Sequence, residues 1–260
     1  MKPDVPKFET KQEEFAWLRE NHDELIYQKR AEFKKADAFC AGVSQLKDMS
    51  VAKYEVVGNV DAVKVRAVIN TTYLMDSHKD VHIDGLWTKT LKENKRIKHL
   101  QEHQMAFDKI IADKDDLTAF AKSYEWRELG YDVDGKTEAL VFDSNVKESR
   151  NATMFKEYKE GNVDNHSVGM YYVKIKFAMN SEDEDDEAFK MEYDKHIDKI
   201  ANKEEVEKQG YFWAVYEAKA IEGSAVPMGS NPITPTLTTP KHEPSESEIK
   251  AKAIKQWLEK

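Results

Sequence analysis

The chain has 260 residues, of which 40% are hydrophobic and 34% charged, and its formal net charge at pH 7 is -9. This composition predicts a globular protein with a heavily charged surface, and the excess of acid argues against nucleic-acid binding, because phosphate binding needs a clustered positive surface. No stretch has the roughly 18 uninterrupted apolar residues of a membrane span, and the N-terminus has no apolar segment typical of a secretory signal. We therefore expect a cytoplasmic protein that binds neither membrane nor nucleic acid, in which the single cysteine, Cys40, is a packing residue.

Residues 8–47 are predicted to form one long helix or a helical hairpin. Apolar residues recur there at steps of three, four and seven, separated by pairs of acids and bases. Two interpretations stay open: a helix that packs on the main domain, or a coiled-coil arm that binds a scaffold.

From about residue 51 the pattern becomes typical of strands. Val63, Val65, Ala67 and Ile69 alternate with more polar neighbours, which predicts a half-buried strand. The acidic run over 181–187 is interpreted as a solvated surface segment. The remaining predicted elements are strands over 97–103, 117–124, 139–143, 166–177 and 211–222, and helices over 86–95 and 147–158. Since strands and helices do not alternate regularly, we expect an α+β domain built on an antiparallel sheet or barrel.

Prolines mark the end of this domain. Five of the seven prolines lie between Pro227 and Pro244, so residues 231–244 are read as an extended linker. A short helix with a Ser-Glu capping box is predicted after it, over 245–259. The predicted domains are a helical N-terminal extension over 1–50, the main domain over 51–232, and the linker with its short helix over 233–260.

Three residues are candidates for chemistry, although each signal is weak alone. Ser167 begins a strand two residues before a glycine, which would leave a path open for a carbonyl group to reach a nucleophile. His103 ends a predicted strand and could serve as a base. Glu222 closes an otherwise apolar strand, so it is either a solvated strand end or a group that orients an imidazole.

A metal site is the competing interpretation for residues 76–84. His78 and His82 are four residues apart among three aspartates, Asp76, Asp80 and Asp84. Two histidines at this spacing face one way only on a helix, the glutamate of a zinc-protease motif is missing, and the acids do not match a calcium loop. We interpret this stretch as a charged turn and expect no metal and no cofactor.

In their order along the chain, four segments resemble the prohead (capsid maturation) serine proteases of tailed bacteriophages, which are related to the herpesvirus capsid protease. The resemblance covers roughly residues 55–235, and the last segment is the most specific of the four. Two departures are Gln104, where the family usually has aspartate, and Met170, where it has an aromatic residue. The four segments are DSHKDVHIDGLWTKTLKEN at 76–94, LQEHQ at 100–104, NVDNHSVGM at 162–170 and IEGSAVPMGSNP at 221–232.

The resemblance implies a fold, an activity and a site. The fold would be an antiparallel β-barrel-like core with surrounding helices, similar to that of the herpesvirus protease. Ser167 would be the nucleophile, His103 the general base and Glu222 the orienting acid. The herpesvirus relatives use a second histidine as the third member, so His166 is an alternative to Glu222; we prefer Glu222, because neighbours on a strand point to opposite faces.

The expected function is that of an endopeptidase that acts inside the assembling procapsid, in the host cytoplasm. Its substrates would be the scaffold protein, the N-terminal extension of the major capsid protein, and the chain itself. An isolated N-terminal arm helix would also allow the protein to self-associate. The alternative is a non-enzymatic scaffold or core protein that retains the protease fold. The oxyanion-hole donors stay open, with backbone amides near Gly169 as one option.

Overall fold

A computed structural model of the chain describes residues 6–35 and 61–237. Cys40, the later part of the predicted N-terminal helix and the predicted helix over 245–259 lie outside these described residues. The helices are α1 (Lys11–Ala31), α2 (Thr88–Glu93), α3 (Ala152–Glu160), α4 (Glu187–His196) and α5 (Lys203–Gln209). The strands are β1 (Ala62–Thr71), β2 (Asp80–His82), β3 (Lys98–Gln101), β4 (Ile110–Ala112), β5 (Leu117–Glu125), β6 (Lys136–Lys147), β7 (His166–Met179), β8 (Tyr211–Ala225) and β9 (Thr236–Leu237).

The strands form two sheets. The first has the order β5-β6-β1-β9 and is antiparallel throughout. In the second, β8 pairs antiparallel with β7, and it pairs in parallel with β2 and β3, while β4 joins β3. The α+β class is therefore confirmed, but the described residues contain two separate sheets and no closed barrel. The parallel pairs also correct the expectation of a purely antiparallel sheet.

The main core lies where the two sheets face each other. Strand β1 buries Val65, Ala67 and Ile69 completely, as its alternating pattern predicted, but Val68 and Asn70 are buried as well, so its second half is not half-buried. At Gly223 of β8 a methyl group would lie 2.5 Å from a ring carbon of Phe142 on β6. A glycine is needed there because the two sheets approach too closely for any side chain.

Helix α1 packs on this core. It begins at a capping box, in which the Thr10 hydroxyl accepts a hydrogen bond from the Glu13 backbone, and it ends at Ala31. Leu18 and Leu25 lie two turns apart and are both buried in the main cluster. The described helix is thus the packed helix of the first interpretation.

The acidic run over 181–187 is not simply solvated. Its first part forms a short 3-10 turn, and α4 begins directly after it. Arg19 of α1 bonds to Asp183 and lies 2.9 Å from the completely buried carboxylate of Asp186. The prediction of a solvated segment is confirmed for residues 182–185 and 187, which are exposed, and wrong for Asp186, which contacts a cation more than 160 positions away in the chain.

The predicted linker over 231–244 is packed in its first part. Ile233 and Thr234 are buried, and β9 pairs with β1. Asn231 anchors the segment, since its side-chain amide donates to the backbone oxygen of Thr71 at 3.2 Å. The packed part of the chain therefore continues beyond the predicted boundary at residue 232. Across the described residues, no helix is long and apolar enough to cross a membrane.

Candidate active site

One face of the β7–β8 ladder carries two of the three predicted catalytic residues. Ser167 lies directly opposite Ser224, and Gly169 lies opposite Glu222. Directly paired residues of antiparallel strands point to the same side, and positions two apart on one strand share a face. The side chains of Ser167, Ser224 and Glu222 are therefore neighbours on one surface of the sheet. All three are at least 95% buried, with Ser167 the most exposed at 5%.

His103 reaches this surface from the turn that follows β3. Because β3 pairs in parallel with β8, Leu100 lies opposite Ser224. Glu102 and His103 then adopt φ values of 53° and 55°, in the left-handed region. This conformation costs non-glycine residues about 1–2 kcal/mol each, and such strain is concentrated at functional sites. The predicted strand over 97–103 thus ends before His103, which lies in a strained turn.

Two hydrogen bonds from the backbone hold this turn against β8. The amide of Glu102 donates to the backbone oxygen of Ala225 at 2.9 Å, and the amide of His103 donates to Oγ of Ser224 at 3.0 Å. The backbone of His103 is therefore fixed next to the residue that lies directly opposite Ser167.

The side chains of His103 and Glu222 are in direct contact. Nδ1 of His103 lies 2.6 Å from Oε1 of Glu222, and Oγ of Ser224 donates to the other carboxylate oxygen, also at 2.6 Å. A carboxylate only accepts hydrogen bonds, so Nδ1 carries a proton, and in the neutral tautomer Nε2 is the nitrogen without one. This is the arrangement by which an acid orients an imidazole in a catalytic triad.

Gly169 makes room for this acid. A methyl group at Gly169 would overlap the carboxylate of Glu222 and would lie 2.7 Å from Cζ of Phe33. The glycine in NHSVGM was predicted to keep a path open for a carbonyl group; in the structure, its missing side chain leaves space that the Glu222 carboxylate fills. Ser224 was not among the residues predicted from the sequence. Its position two residues after Glu222, which places both side chains on one face of β8, was the signal that could have identified it.

His166 lies on the opposite face of β7, as the alternation of strand side chains predicted. Its Nδ1 is 2.9 Å from the backbone oxygen of Thr234, and its Nε2 is 3.0 Å from the hydroxyl of Tyr158. The same hydroxyl is 3.1 Å from Nε2 of His99, whose Nδ1 is 2.9 Å from Oγ of Ser144. His166 therefore belongs to a buried chain of hydrogen bonds that is separate from Ser167.

Burial keeps both histidines of this hydrogen-bond chain, His166 and His99, neutral. Burial lowers the pKa of His166 from its usual 6.5 to about 4. Burial, together with the nearby His166, holds the pKa of His99 well below its usual value. A carbonyl oxygen only accepts, so His166 donates from Nδ1 to Thr234 and accepts from Tyr158 at Nε2. The Tyr158 oxygen then accepts from His99, and every group in the chain is satisfied while both rings stay neutral.

The predicted charged turn is present at residues 77–79, and Asp84 is exposed, but the two acids that flank the turn, Asp76 and Asp80, are buried. Asp80 is completely buried and Asp76 is 7% exposed. Lys29 of α1 lies 2.5 Å from Oδ1 of Asp80, and the hydroxyl of Tyr172 donates to Oδ2 at 2.7 Å. Burial raises the pKa of Asp80, but the charges of Lys29 and Lys34 and the hydrogen bonds from Lys29 and Tyr172 together outweigh it, so the pKa is lowered. Burial and the neighbouring Asp80 raise the pKa of Asp76.

Asp76, His78 and Asp80 are also the group that could hold a metal ion, since one ligand atom from each lies within 4.8 Å of the others. Both carboxylates of this group already have partners. Lys29 contacts Asp80, and Oδ1 of Asp76 accepts from the backbone amides of His78 and Asp80, at 2.8 and 3.0 Å. Lys29 and, at longer range, Lys34 supply positive charge to this cluster.

The cluster and the serine border a common cleft. Ser167 lines this cleft together with Asp76 and His78, and the N-terminal residues Lys34 and Lys35 line it as well. The cleft is lined from β7 also by Val168, Met170 and Tyr172, which alternation places on the face opposite to the Ser167 side chain. His103 and Glu222 are not among its lining residues, so their contact lies outside this cleft.

Comparisons with models of protein families, with curated proteins and with solved structures find no match to this chain.

Proposed function

We propose that the chain is a serine endopeptidase that matures the procapsid of a tailed bacteriophage. The observation that carries the proposal is the 2.6 Å contact between His103 and Glu222, on the same face of the sheet as Ser167. The four sequence segments that resemble the prohead proteases supply the substrate class. The herpesvirus-protease-like fold that this resemblance implies is part of the proposal.

The proposed reaction uses the three side chains in their ordinary roles. Oγ of Ser167 attacks the carbonyl carbon of a peptide bond while Nε2 of His103 takes its proton. The protonated His103 then gives this proton to the leaving amine, which leaves an acyl group on the serine. A water molecule, activated by the same histidine, hydrolyses the acyl group and restores the hydroxyl. Glu222 holds Nδ1 of His103 and stabilises the positive charge that forms on the ring.

Ser224 acts in this scheme as a positioning residue. Its hydroxyl contacts both the backbone of His103 and the carboxylate of Glu222, so it fixes the acid and the turn in one arrangement. The strained backbone of His103 supports the same conclusion, because the turn keeps its conformation only while such contacts compensate its cost.

The proposed substrates are the scaffold protein, the extension of the capsid protein, and the chain itself. The proposed place of action is the interior of the assembling procapsid. An intact-mass time course of the purified protein tests self-cleavage, with Ser167→Ala as the inactive variant and Ser123→Ala, an exposed serine on β5, as the matched control. Truncation at discrete sites in the wild type and Ser123→Ala but not in Ser167→Ala is the expected result.

A second measurement tests the nucleophile without a substrate. A fluorophosphonate probe reacts with activated serine hydroxyls, and peptide mapping locates the labelled residue. We expect labelling of Ser167 that is lost in His103→Ala and strongly reduced in Glu222→Gln. Unlabelled Ser167 in a folded protein, together with an intact chain in the mass assay, would overturn the proposal.

The second candidate function is a procapsid scaffold or core protein without activity. The observation that favours it is the burial of the site, since Ser167 is 5% exposed and Glu222 only 1%. Addition of scaffold or capsid protein separates the two functions. An enzyme cleaves the added protein in a Ser167-dependent way, whereas a structural protein co-assembles with it and leaves it whole.

A further inference from the structure

The edge of β7 next to Ser167 is paired with the chain's own N-terminal segment. After α1 the backbone is extended at Glu32. The amide of Lys34 donates to the backbone oxygen of Met170 at 2.8 Å, and the amide of Met170 donates to the backbone oxygen of Lys34 at 3.0 Å. This reciprocal pair is an antiparallel β-bridge. Residues 33–35 therefore lie on β7 as a peptide does when it adds a strand to a sheet edge.

The direction of this pairing brings the segment toward the candidate nucleophile. In an antiparallel pair, a step forward from Lys34 corresponds to a step back from Met170 toward Ser167. Val168 is two residues from Met170, so its backbone amide and carbonyl point to the same edge of the strand. Lys34 and Lys35 line the same cleft as Ser167. A peptide bound in this way presents the bonds on the C-terminal side of its paired residues to the serine.

The side chains of the segment contact specific parts of the site. The ring of Phe33 lies 5.2 Å from the ring of Tyr171, and its Cζ closes the space above Gly169. The ammonium of Lys34 lies 5.8 Å from the ring centre of Tyr172, and the residue is 7% exposed. An aromatic residue and a cation are thus accommodated at adjacent positions of the paired strand.

The segment is also anchored from α1. Lys29 lies less than two helical turns before Phe33 and forms the buried ion pair with Asp80. Because an unpaired buried charge is costly, this pair fixes the end of the helix and delivers the extended segment to the edge of β7.

We propose that the edge of β7 from Val168 to Met170 is the backbone-binding site for the substrate peptide, and that Phe33–Lys35 occupies it as an internal peptide. This inference rests on the proposed protease function and adds its specificity. The substrate is an extended peptide that carries an aromatic residue followed by a cationic one, on the N-terminal side of the bond that is cleaved. The internal segment competes with such substrates until it is displaced.

Two proline variants test this competition in the full-length chain. Lys34→Pro removes the amide that donates to Met170. Lys35→Pro makes the same change of residue and charge one position later, where the amide of a paired strand points away from β7. Both are made together with Ser167→Ala so that the probe is not cleaved. The probe is a fluorescein-labelled peptide of residues 30–38, and its binding is measured by fluorescence anisotropy, with circular dichroism and thermal melts as checks of folding.

We expect the peptide to bind the Lys34→Pro protein at least tenfold more tightly than it binds the parent or the Lys35→Pro protein. Replacing the phenylalanine of the peptide by alanine should weaken binding about tenfold. Equal affinity for all three proteins, or no binding to any of them, overturns the inference.

Labelling of Ser167 by the fluorophosphonate probe, in the same variants with the serine restored, separates this inference from the proposed function. If Ser167 is labelled in every variant but Lys34→Pro does not tighten peptide binding, the protein is a protease whose substrate binds elsewhere. In that case the inference fails and the proposed function stands. The peptide effect without any labelling identifies the edge of β7 as a peptide site on a protein that is not a serine hydrolase.

Discussion

The buried chain from Ser144 through His99, Tyr158 and His166 to Thr234 predicts how stability depends on pH. His166 has a pKa of about 4 in the folded protein and about 6.5 when unfolded. Between these values the unfolded chain binds more protons, so the free energy of unfolding falls as the pH is lowered through this range. Each pKa unit corresponds to about 1.4 kcal/mol, which gives roughly 3 kcal/mol for the complete interval and about 2.5 kcal/mol by pH 4.5.

The neighbouring His99 changes stability in the same direction, because its pKa is also lowered. The assay is urea unfolding followed by tryptophan fluorescence, at several pH values from 7 to 4.5. Carboxylates titrate in the same range, so the wild type is compared with His166→Gln, which cannot be protonated there. The variant should be less stable at pH 7, because its shorter side chain leaves hydrogen bonds of the chain unmade.

The decisive quantity is the difference between the two proteins. It should shrink by about 2 kcal/mol between pH 7 and pH 4.5, since only the wild type loses the contribution of His166. Parallel pH profiles would refute the reasoning, because they would mean that His166 is protonated as easily in the folded protein as in the unfolded chain.

Three further predictions concern the site and its anchor. Gly169→Ala should lower kcat/KM by about a hundredfold or more, because the added methyl group displaces the Glu222 carboxylate. The control Gly223→Ala, which clashes only in the core, should destabilise the fold by about 1–3 kcal/mol and keep its activity per folded molecule. Similar activity in the two variants would contradict this prediction. Ser224→Ala should lower kcat about tenfold to a hundredfold at nearly unchanged KM, from the loss of a hydrogen bond to a charged group, and a change in KM alone would speak against a positioning role. Lys29→Met should reduce the free energy of unfolding by about 3–5 kcal/mol, because it leaves Asp80 charged and buried. Adding Asp80→Asn to this variant should recover part of the loss. If urea unfolding shows that the two substitutions destabilise the protein in a strictly additive way, the ion pair is refuted.

The sequence pattern identified most of the long strands. The apolar runs that became β7 and β8 were predicted at nearly their observed positions, whereas only residues 139–143 of β6 were predicted. The helix predicted over 147–158 corresponds to α3, which begins later and ends at Gly161, where φ is 77°. These features depend on neighbours within a few residues.

Buried charges were not predictable in this way. The segment over 76–84 was interpreted as a charged turn and the segment over 181–187 as solvated, and helices α4 and α5, which follow the second segment, were not predicted. In the structure Asp80 is paired with Lys29 and Asp186 with Arg19. A charged residue is buried only when a partner neutralises it, and here each partner lies on a helix far away in the sequence.

The same distinction between local sequence pattern and tertiary contact applies to the candidate site. The sequence supplied the residue types, since Ser167, His103 and Glu222 were selected by their order and by their resemblance to a protease family. Which of them meet was decided by the tertiary structure: the parallel pairing of β3 with β8 and the left-handed turn at Glu102 bring His103 to Glu222. Local periodicity follows from the chain alone, whereas contacts between residues more than a hundred positions apart depend on how the strands pair and the sheets pack.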